Sequence, residues 1–248
     1  MKSKLMLVYK KLLNKYGEQG WWPILKQNSF EYRTFFKHEK KSINQKFEIC
    51  IGAILTQNTA WKNVEKAFVN LSRANIFSPQ KILSTPEKKL AELIRPAGYY
   101  NVKTRKLKEI SRFFLEHKDD FENESLSREE LLRVWGVGKE SADYIMLYAL
   151  NKPFFVIDAY TIRIFSRLGF FDEKSNYDFV QEFFQKNLAK DYKIYNEYHA
   201  LIVEHAKNCC RKKPVCEDCV LRKECKYYQD KRDKNASKEQ SKKIKERK

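Results

Sequence analysis

Four cysteines near the C-terminal end have the spacing of a metal centre. They form the pattern C-x6-C-x2-C-x5-C at Cys209, Cys216, Cys219 and Cys225. Four thiolates in so short a segment can ligate a tetrahedral metal ion or an iron-sulfur cluster. A zinc site and two disulfides are the alternatives, and a reducing cytoplasm argues against the disulfides. The nearby histidine His205 is predicted to be structural, because four thiolates already complete a site.

A single carboxylate, Asp158, follows the apolar segment 154–157 and precedes an amphipathic stretch that closes at Gly169. This position is typical of a helix N-cap. A carboxylate in an apolar cleft can also orient water against a sugar or stabilise an oxocarbenium-like sugar. The sequence therefore predicts a helix start at Asp158 and leaves capping and catalysis open.

Two glycines, Gly136 and Gly138, predict a tight turn between two helices. Glycine permits positive φ angles and close backbone approach. The N–H groups at the start of the following helix can hold a phosphate. A plain helix-helix connector is the alternative.

The elements that position these residues are predicted to be helices. Apolar residues recur at helical spacing through most of the chain, for example at Val64, Ala67, Phe68 and Leu71. Alternating segments are scarce, and no Asn-Gly or Asp-Gly dipeptide signals a hairpin. Glycine and proline breakers leave about ten helices of ordinary length. The predicted fold class is all-α.

The charge balance points to a polyanionic partner. The 248 residues include 50 Lys or Arg and 32 Asp or Glu, for a net charge of +18, which favours nucleic acid through counterion release. No apolar run is long enough to span a membrane. The N-terminal stretch resembles an amphipathic helix and no secretory signal, so a cytoplasmic location at the nucleoid is expected. Residues 229–248 are predicted to be a basic, disordered tail.

The hairpin, the aspartate and the cysteine pattern resemble, in order and spacing, the endonuclease III branch of the helix-hairpin-helix-GPD superfamily of DNA glycosylases. The resemblance implies two helical domains with a cleft between them, in which a flipped base is excised from damaged duplex DNA. It places a six-helix barrel at residues 39–152 and a cluster domain at 1–38 and 153–228. It also implies a [4Fe-4S] cluster on the four cysteines, Asp158 as the catalytic carboxylate, and a monomer.

The same resemblance implies the residues that touch DNA. Gln57, in the segment 55–59, resembles the glutamine that fills the gap left by a flipped nucleotide. Tyr99 resembles the wedge on the opposite strand. The full set of predicted DNA contacts is Gln57, Asn58, Tyr99, Tyr100, Gly136, Gly138, Lys139 and Ser141.

One departure from the endonuclease III pattern affects the expected chemistry. Bifunctional members carry a lysine nucleophile after the hairpin, where this sequence has Glu140. Lys139 is one residue away and would point elsewhere on a helix. Without that amine the covalent route loses its nucleophile. The sequence therefore predicts a monofunctional glycosylase that activates water.

The sequence is similar to the 3-methyladenine DNA glycosylase subgroup, which implies excision of alkylated purines. Trp21, Trp22, Phe47 and Glu140 are the predicted base pocket, and cationic alkylpurines stack well on electron-rich rings. The two tryptophans could instead be core residues. Two other functions stay open: an endonuclease III-like lyase that acts on oxidised pyrimidines, and a DNA-binding module without catalysis.

Overall fold

The structure is a computed structural model that describes residues 1–26, 28–31 and 41–233. These ranges contain twelve α-helices between Lys2 and Asn208, a further helical segment at residues 226–233 and one short β-hairpin, so the predicted all-α class is confirmed. The helices are α1 (Lys2–Tyr16), α2 (Ile43–Leu55), α3 (Trp61–Arg73), α4 (Pro79–Ser84), α5 (Glu87–Leu93), α6 (Tyr100–Glu116), α7 (Lys118–Asn123), α8 (Arg128–Arg133), α9 (Lys139–Tyr144), α10 (Ala159–Leu168), α11 (Tyr177–Asn187) and α12 (Tyr192–Asn208).

A hairpin of two short strands was not expected from the sequence. Strands β1 (Ile24–Lys26) and β2 (Ser29–Glu31) pair antiparallel, with Ile24 opposite Glu31. Asn28 in the turn has a φ of 65°, a conformation that asparagine adopts more readily than most residues. Asn28 is followed by Ser29, so a search for Asn-Gly missed this turn.

Two compact units divide the chain. Unit 1 comprises Met1–Glu18, Ile157–Ala189 and Tyr198–Lys248, and unit 2 comprises Gln19–Val156 and Lys190–Glu197. The predicted division assigned residues 1–38 to the cluster domain. The structure instead groups the chain from Gln19 with unit 2, because Trp22 packs against Trp61 with ring centroids 5.0 Å apart. The predicted boundary between residues 38 and 39 lies outside the described residues.

Helix α2 is the central element of unit 2. It begins at a capping box formed by Ser42 and Gln45. Every residue from Lys46 to Leu55 is buried, because α6, α9 and the π-helical segment Ile145–Ala149 pack around it. A helix buried on all sides has a fixed position, so the loop that follows Leu55 starts from a rigid point.

Unit 1 is built from α1, α10, α11 and the part of α12 from Tyr198 onward. Helix α1 buries Leu5, and the Tyr198 hydroxyl of α12 donates to the Leu5 carbonyl oxygen at 2.7 Å. Phe165 of α10 packs edge-on against Phe184 of α11, with centroids 4.8 Å apart. These contacts hold the start of α10, where Asp158 lies.

The predicted tail begins as a helix. Residues 226–233 are helical, so residues 229–233 differ from the predicted disorder. The Arg167 guanidinium lies 5.0 Å from the centre of the Tyr227 ring and so ties this helix to α10. The rest of the tail, 234–248, lies outside the described residues. No helix in the described ranges is both long and apolar enough to cross a membrane.

Candidate active site and cysteine loop

Asp158 begins helix α10 as its N-cap. Its Oδ1 atom accepts hydrogen bonds from the Thr161 backbone N–H at 2.7 Å and from the Thr161 hydroxyl at 2.9 Å. The predicted helix start is therefore confirmed. The residue is only 8% exposed, so the carboxylate lies in a largely water-free environment within unit 1.

His199 of α12 faces the other carboxylate oxygen. Its Nε2 atom is 3.5 Å from Asp158 Oδ2. Burial alone would raise the pKa of Asp158, but His199 and the two bonds from Thr161 outweigh it and hold the pKa below its usual value. Asp158 is therefore ionised at neutral pH. His199 could not be predicted as the partner of Asp158, because the two residues are far apart in the chain.

The predicted tight turn lies between α8 and α9. Gly136 has a φ of 88°, and Gly138 is the N-cap of α9. A Cβ atom on Gly136 would lie 2.4 Å from Lys106 Cγ, so both the backbone conformation and the close approach require glycine. Lys139 and Glu140 are exposed on the first turn of α9, and Ser141 is buried.

The Gln57 side chain connects its loop to this turn. Its Nε2 atom donates to the Gly136 carbonyl oxygen at 3.0 Å and to Ser141 Oγ at 2.9 Å. Its Oε1 atom accepts from Lys106 Nζ at 2.6 Å. Asn58 follows with a φ of 52° and an exposed side chain. Predicted DNA contacts from two distant segments are thus neighbours in unit 2.

Tyr99 stands out from the surface of unit 2. It is 73% exposed and adopts a left-handed conformation, with a φ of 46°, at the N-cap of α6. The Arg95 guanidinium lies 6.0 Å from the centre of the next ring, Tyr100. A large exposed aromatic at a constrained backbone position fits the predicted wedge.

Trp21 and Trp22 belong to an aromatic cluster that the sequence did not reveal. Trp22 lies within 5.0 Å of Trp61, 5.8 Å of Tyr144 and 5.4 Å of Tyr148, measured between ring centroids. Trp22 is 1% exposed, whereas Trp21 is only half-buried. Trp21 and Trp61 are therefore the half-buried tryptophans of this cluster. The spacing of Tyr144 and Tyr148 on one helical face was the available signal.

Phe47 and Glu140, the other two residues of the predicted base pocket, differ in burial from each other. The Phe47 ring is 2% exposed and packs against Phe114 with centroids 4.9 Å apart. The structure thus places Phe47 in the hydrophobic core, because its ring is covered by another phenylalanine on α6. Glu140 is exposed at the start of α9, and its place in a base pocket stays a prediction.

All six cysteines are free thiols, so the disulfide alternative does not hold in this structure. The metal-binding atoms of His205, Cys209 and Cys219 lie within 4.8 Å of one another. Tyr16 and the histidine ring meet at a hydroxyl-to-Nδ1 distance of 2.9 Å, which leaves Nε2 facing Cys219 Sγ at 3.7 Å. His205 therefore approaches the cysteine loop, which the sequence did not predict.

The donor set of this loop suits a metal centre. Burial, followed by the nearby Cys219 thiol, raises the pKa of Cys209 to about 12. Burial raises the pKa of Cys216 and Cys225 as well. A bound metal supplies the positive charge that would stabilise several neighbouring thiolates. The four cysteines of the C-x6-C-x2-C-x5-C pattern therefore fit either an iron-sulfur cluster or zinc.

Comparisons with known proteins identify the family of this chain. Residues 51–190 match the family described as HhH-GPD superfamily base excision DNA repair protein. A Methanocaldococcus jannaschii protein with a provisional DNA repair glycosylase name is 47% identical over 225 residues, or 88% of this chain and 94% of that protein. Endonuclease III of Sulfolobus acidocaldarius is 30% identical over 187 residues, which cover 74% of this chain and 83% of that protein.

A solved structure is similar as well. The crystal structure of the H. pylori 3-methyladenine DNA glycosylase bound to 1,N6-ethenoadenine superposes with a TM-score of 0.64 at 31% identity. The superposition covers 83% of this chain and 95% of that chain. The helical fold is therefore shared with a solved DNA glycosylase.

Proposed function

We propose that this chain, which belongs to the HhH-GPD superfamily of base excision DNA repair proteins, is a monofunctional glycosylase for alkylated purines in duplex DNA. The observation that carries the proposal is Asp158, a buried carboxylate whose pKa is held below its usual value. An ionised carboxylate of this kind can act on a sugar that becomes cationic as its base departs.

In the proposed reaction Asp158 acts through its second oxygen. Oδ1 is held by Thr161, and Oδ2 is the oxygen that faces His199. Oδ2 orients a water molecule toward the C1′ carbon and takes its proton, while the negative charge stabilises the oxocarbenium-like sugar. The base leaves with the electrons of the N-glycosidic bond. His199 positions the carboxylate.

Alkylated purines suit this chemistry and the aromatic cluster. A purine alkylated at N3 or N7 is cationic and leaves as a neutral base, so no acid is needed to protonate it. A cation also stacks favourably on a tryptophan face, and Trp21 is a half-buried ring of the cluster, as is Trp61. The similar H. pylori enzyme is named a 3-methyladenine DNA glycosylase. Trp21 is therefore the proposed stacking residue, with Trp22 packed behind it.

The proposal includes no covalent amine intermediate. Glu140 occupies the position after the hairpin where bifunctional relatives have a lysine. Lys139 is exposed on the first turn of α9, and adjacent helical residues point about 100° apart. Water attack is therefore the proposed route, and strand cleavage is not part of the activity.

Duplex DNA is the proposed partner, bound by a monomer. The loop that carries Gln57 and Asn58 is hydrogen-bonded to the Gly136–Gly138 turn within unit 2. Helix α6 begins after Tyr99, and its Lys106 donates to Gln57. Gln57 is proposed to fill the gap left by the flipped nucleotide and Tyr99 to act as the wedge on the opposite strand, while Lys139 and the turn hold phosphates. Binding should weaken steeply with salt concentration, since several phosphates are neutralised.

A [4Fe-4S] cluster is the proposed cofactor of the cysteine loop. Cys209, Cys216, Cys219 and Cys225 would hold it, and when bound it would fix the loop in one shape. Iron and acid-labile sulfide in the purified protein, with a brown colour, are the expected result. If the purified protein is colourless and contains one zinc per chain, the cysteine loop holds a structural zinc ion and no iron-sulfur cluster.

Release of free base from a panel of duplexes tests the proposed activity. The panel contains 3-methyladenine, 7-methylguanine, thymine glycol or undamaged DNA. Release from the methylated duplexes, with intact strands, is the expected result. Release from thymine glycol with strand cleavage would support the second candidate, an endonuclease III-like lyase, which the 30% identity to the Sulfolobus enzyme favours. Binding without any release would leave only a DNA-binding module.

A further inference from the structure

Lys103 is a buried cation that no part of the proposed reaction uses. It lies on α6 and is 2% exposed. Its ammonium group donates to the carbonyl oxygens of Leu55 at 2.8 Å and Ala97 at 2.9 Å, and to the Thr59 hydroxyl at 2.7 Å. An ammonium has three N–H donors, so these acceptors satisfy all of them. No carboxylate is among them.

These acceptors belong to two loops whose residues Gln57, Asn58 and Tyr99 are predicted to contact DNA. Leu55 is the last residue of α2, where a cation is favoured by the helix dipole. Thr59 closes the loop that carries Gln57, and its hydroxyl also donates to the Ala97 carbonyl oxygen. Ala97 immediately precedes Gly98 and the exposed Tyr99. One side chain therefore holds the base of both loops.

Lys106, one turn further along α6, extends the same arrangement. It donates to Gln57 Oε1, while Gln57 Nε2 donates to the Gly136 carbonyl oxygen in the tight turn between α8 and α9. Gln57 is thereby placed between α6 and the turn. Lys103 acts on the backbone of the loops and Lys106 on a side chain.

We propose that Lys103 is a positioning residue that clamps the loops 55–59 and 97–99 into one geometry before DNA binds. The proposal rests on the proposed function in one respect, namely that these loops enter damaged DNA. Loops that are already ordered need not lose further entropy when they bind. Much of the chain's positive charge is attributed to phosphate binding, but this lysine acts within the protein.

The clamp should depend on the protonation of Lys103. Burial, followed by the charge of Lys106, lowers its pKa to about 8. The end of α2, the loop at Thr59 and the turn at Ala97 present only neutral acceptors to it. An opening of the loops that lets water reach Lys103 would return its pKa toward the usual value, so the open loops would bind more protons than the closed loops. The closed geometry should therefore gain stability relative to the open one as the pH rises above about 8.

Global stability should change in the same direction. The pKa of Lys103 is about 8 in the folded chain, against about 10.4 in an unfolded chain. Between these values the unfolded chain binds more protons, so the contribution of this group to the free energy of unfolding rises with pH. A pH-dependent protection of the two loops that is absent in Lys103→Met is a signature that a merely structural lysine would not give.

Amide hydrogen exchange of the full chain without DNA tests the clamp. Lys103→Met keeps the length and apolar stem of the side chain but removes its donors. Amides in 56–59 and 98–101 should exchange about 10-fold faster at pH 7, corresponding to about 1.4 kcal/mol. Lys108→Met is the matched control. Lys108 donates to the Leu83 and Thr85 carbonyl oxygens, both at 2.9 Å, so its loss should affect only residues 83–86.

A second variant covers the case in which Lys103→Met does not fold. Thr59→Val removes the hydroxyl acceptor with little change in shape, and it should speed exchange in both loops by a smaller factor. In the wild type the exchange of the same amides should rise by less than the intrinsic increase above pH 8, and this shortfall should be absent in Lys103→Met. Unchanged loop exchange in a folded Lys103→Met, or in Thr59→Val if the former does not fold, would overturn the clamp.

Activity gives a separate outcome. Base release at subsaturating DNA by Lys103→Met should fall about 10- to 100-fold, because misplaced contacts weaken a preorganised site, while Lys108→Met stays within 2-fold of the wild type. If the wild type releases no base, the proposed function fails, but the exchange result still decides the clamp. Faster exchange with unchanged base release would overturn the claim that the clamp serves DNA.

Discussion

Helices α9 and α10 start with nearly the same backbone geometry but with different residues. The N-cap of α9 is Gly138, with φ −95° and ψ 178°, and the N-cap of α10 is Asp158, with φ −116° and ψ 176°. Gly138 is exposed and has no side chain to cap its helix, whereas Asp158 is buried and caps α10 with its own carboxylate. The partial positive charge at the N-terminus of α10 is therefore neutralised by a carboxylate of the protein itself.

The difference separates two tasks. A glycine start leaves room for an external anion, which is what a turn that binds a DNA phosphate requires. A buried aspartate start fixes one carboxylate oxygen through the helix and leaves the other for chemistry. In the proposed enzyme α9 therefore binds the substrate and α10 carries the reactive group.

Asp158→Asn should have the largest effect. Asparagine keeps the cap on Thr161 but removes the negative charge. Base release under single-turnover conditions should fall about 10³-fold, while the Kd for damaged duplex changes little. Quench-flow and fluorescence anisotropy measure the two quantities. A rate within a few-fold of the wild type would place the chemistry elsewhere.

Gly138→Asp gives α9 an aspartate N-cap like that of α10. Its backbone conformation already accepts any residue, and a Cβ atom there meets nothing within 4 Å. The new carboxylate should cap α9 and repel the phosphate, so DNA affinity should fall about 10-fold, or about 1.4 kcal/mol. Gly138→Asn is the matched control, with the cap but without the charge. Equal losses in both variants would mean that bulk, and not charge, matters at this position.

Asp158→Ala tests the cap itself. Its loss should lower the free energy of unfolding by about 1 kcal/mol. Asn176→Ala at the start of α11, where Asn176 Oδ1 accepts from Phe179 N at 2.9 Å, should cost a similar amount. The pKa of folded Asp158 is below its usual value, so its stabilisation is present above that value and is lost as the pH falls through the folded pKa.

Chemical denaturation between pH 3 and 7 compares the two cap variants. The deficit of Asp158→Ala should shrink toward pH 3, and that of Asn176→Ala should stay constant. A deficit of Asp158→Ala that does not depend on pH would show that its charge contributes nothing to the fold.

Glu140→Gln should have the smallest effect. Glu140 is an exposed carboxylate on the first turn of α9, beside the proposed phosphate site. Removing one negative charge should tighten DNA binding about 2- to 3-fold at low salt, with base release unchanged at saturating enzyme. A large loss of base release would instead support the predicted place of Glu140 in a base pocket.

Sequence patterns predicted local features well. The N-cap at Asp158 followed from a polar residue before an apolar periodic stretch, and the structure has it bonded to Thr161. The turn at Gly136 followed from glycine spacing, and its φ of 88° confirms the need for glycine. Both signals are local, because a cap or a turn is formed by neighbours in the chain.

Tertiary partners were beyond the sequence. Nothing in the chain indicated that His199 would face Asp158, or that Trp61 would pack against Trp22. Lys103 was counted with the charges available to nucleic acid, but it is buried against carbonyl groups. Charge counting cannot separate exposed from internal lysines, since burial depends on packing between distant segments.

The central claim is that Asp158 directs water, and no protein amine, to the sugar. Borohydride treatment during turnover on methylated duplex tests it most directly, because it traps any imine between protein and DNA. We predict full release of the methylated base with no protein-DNA adduct on a denaturing gel, and release about 10³-fold slower with Asp158→Asn. A trapped adduct that appears at the rate of base release would contradict the account and identify an amine as the nucleophile.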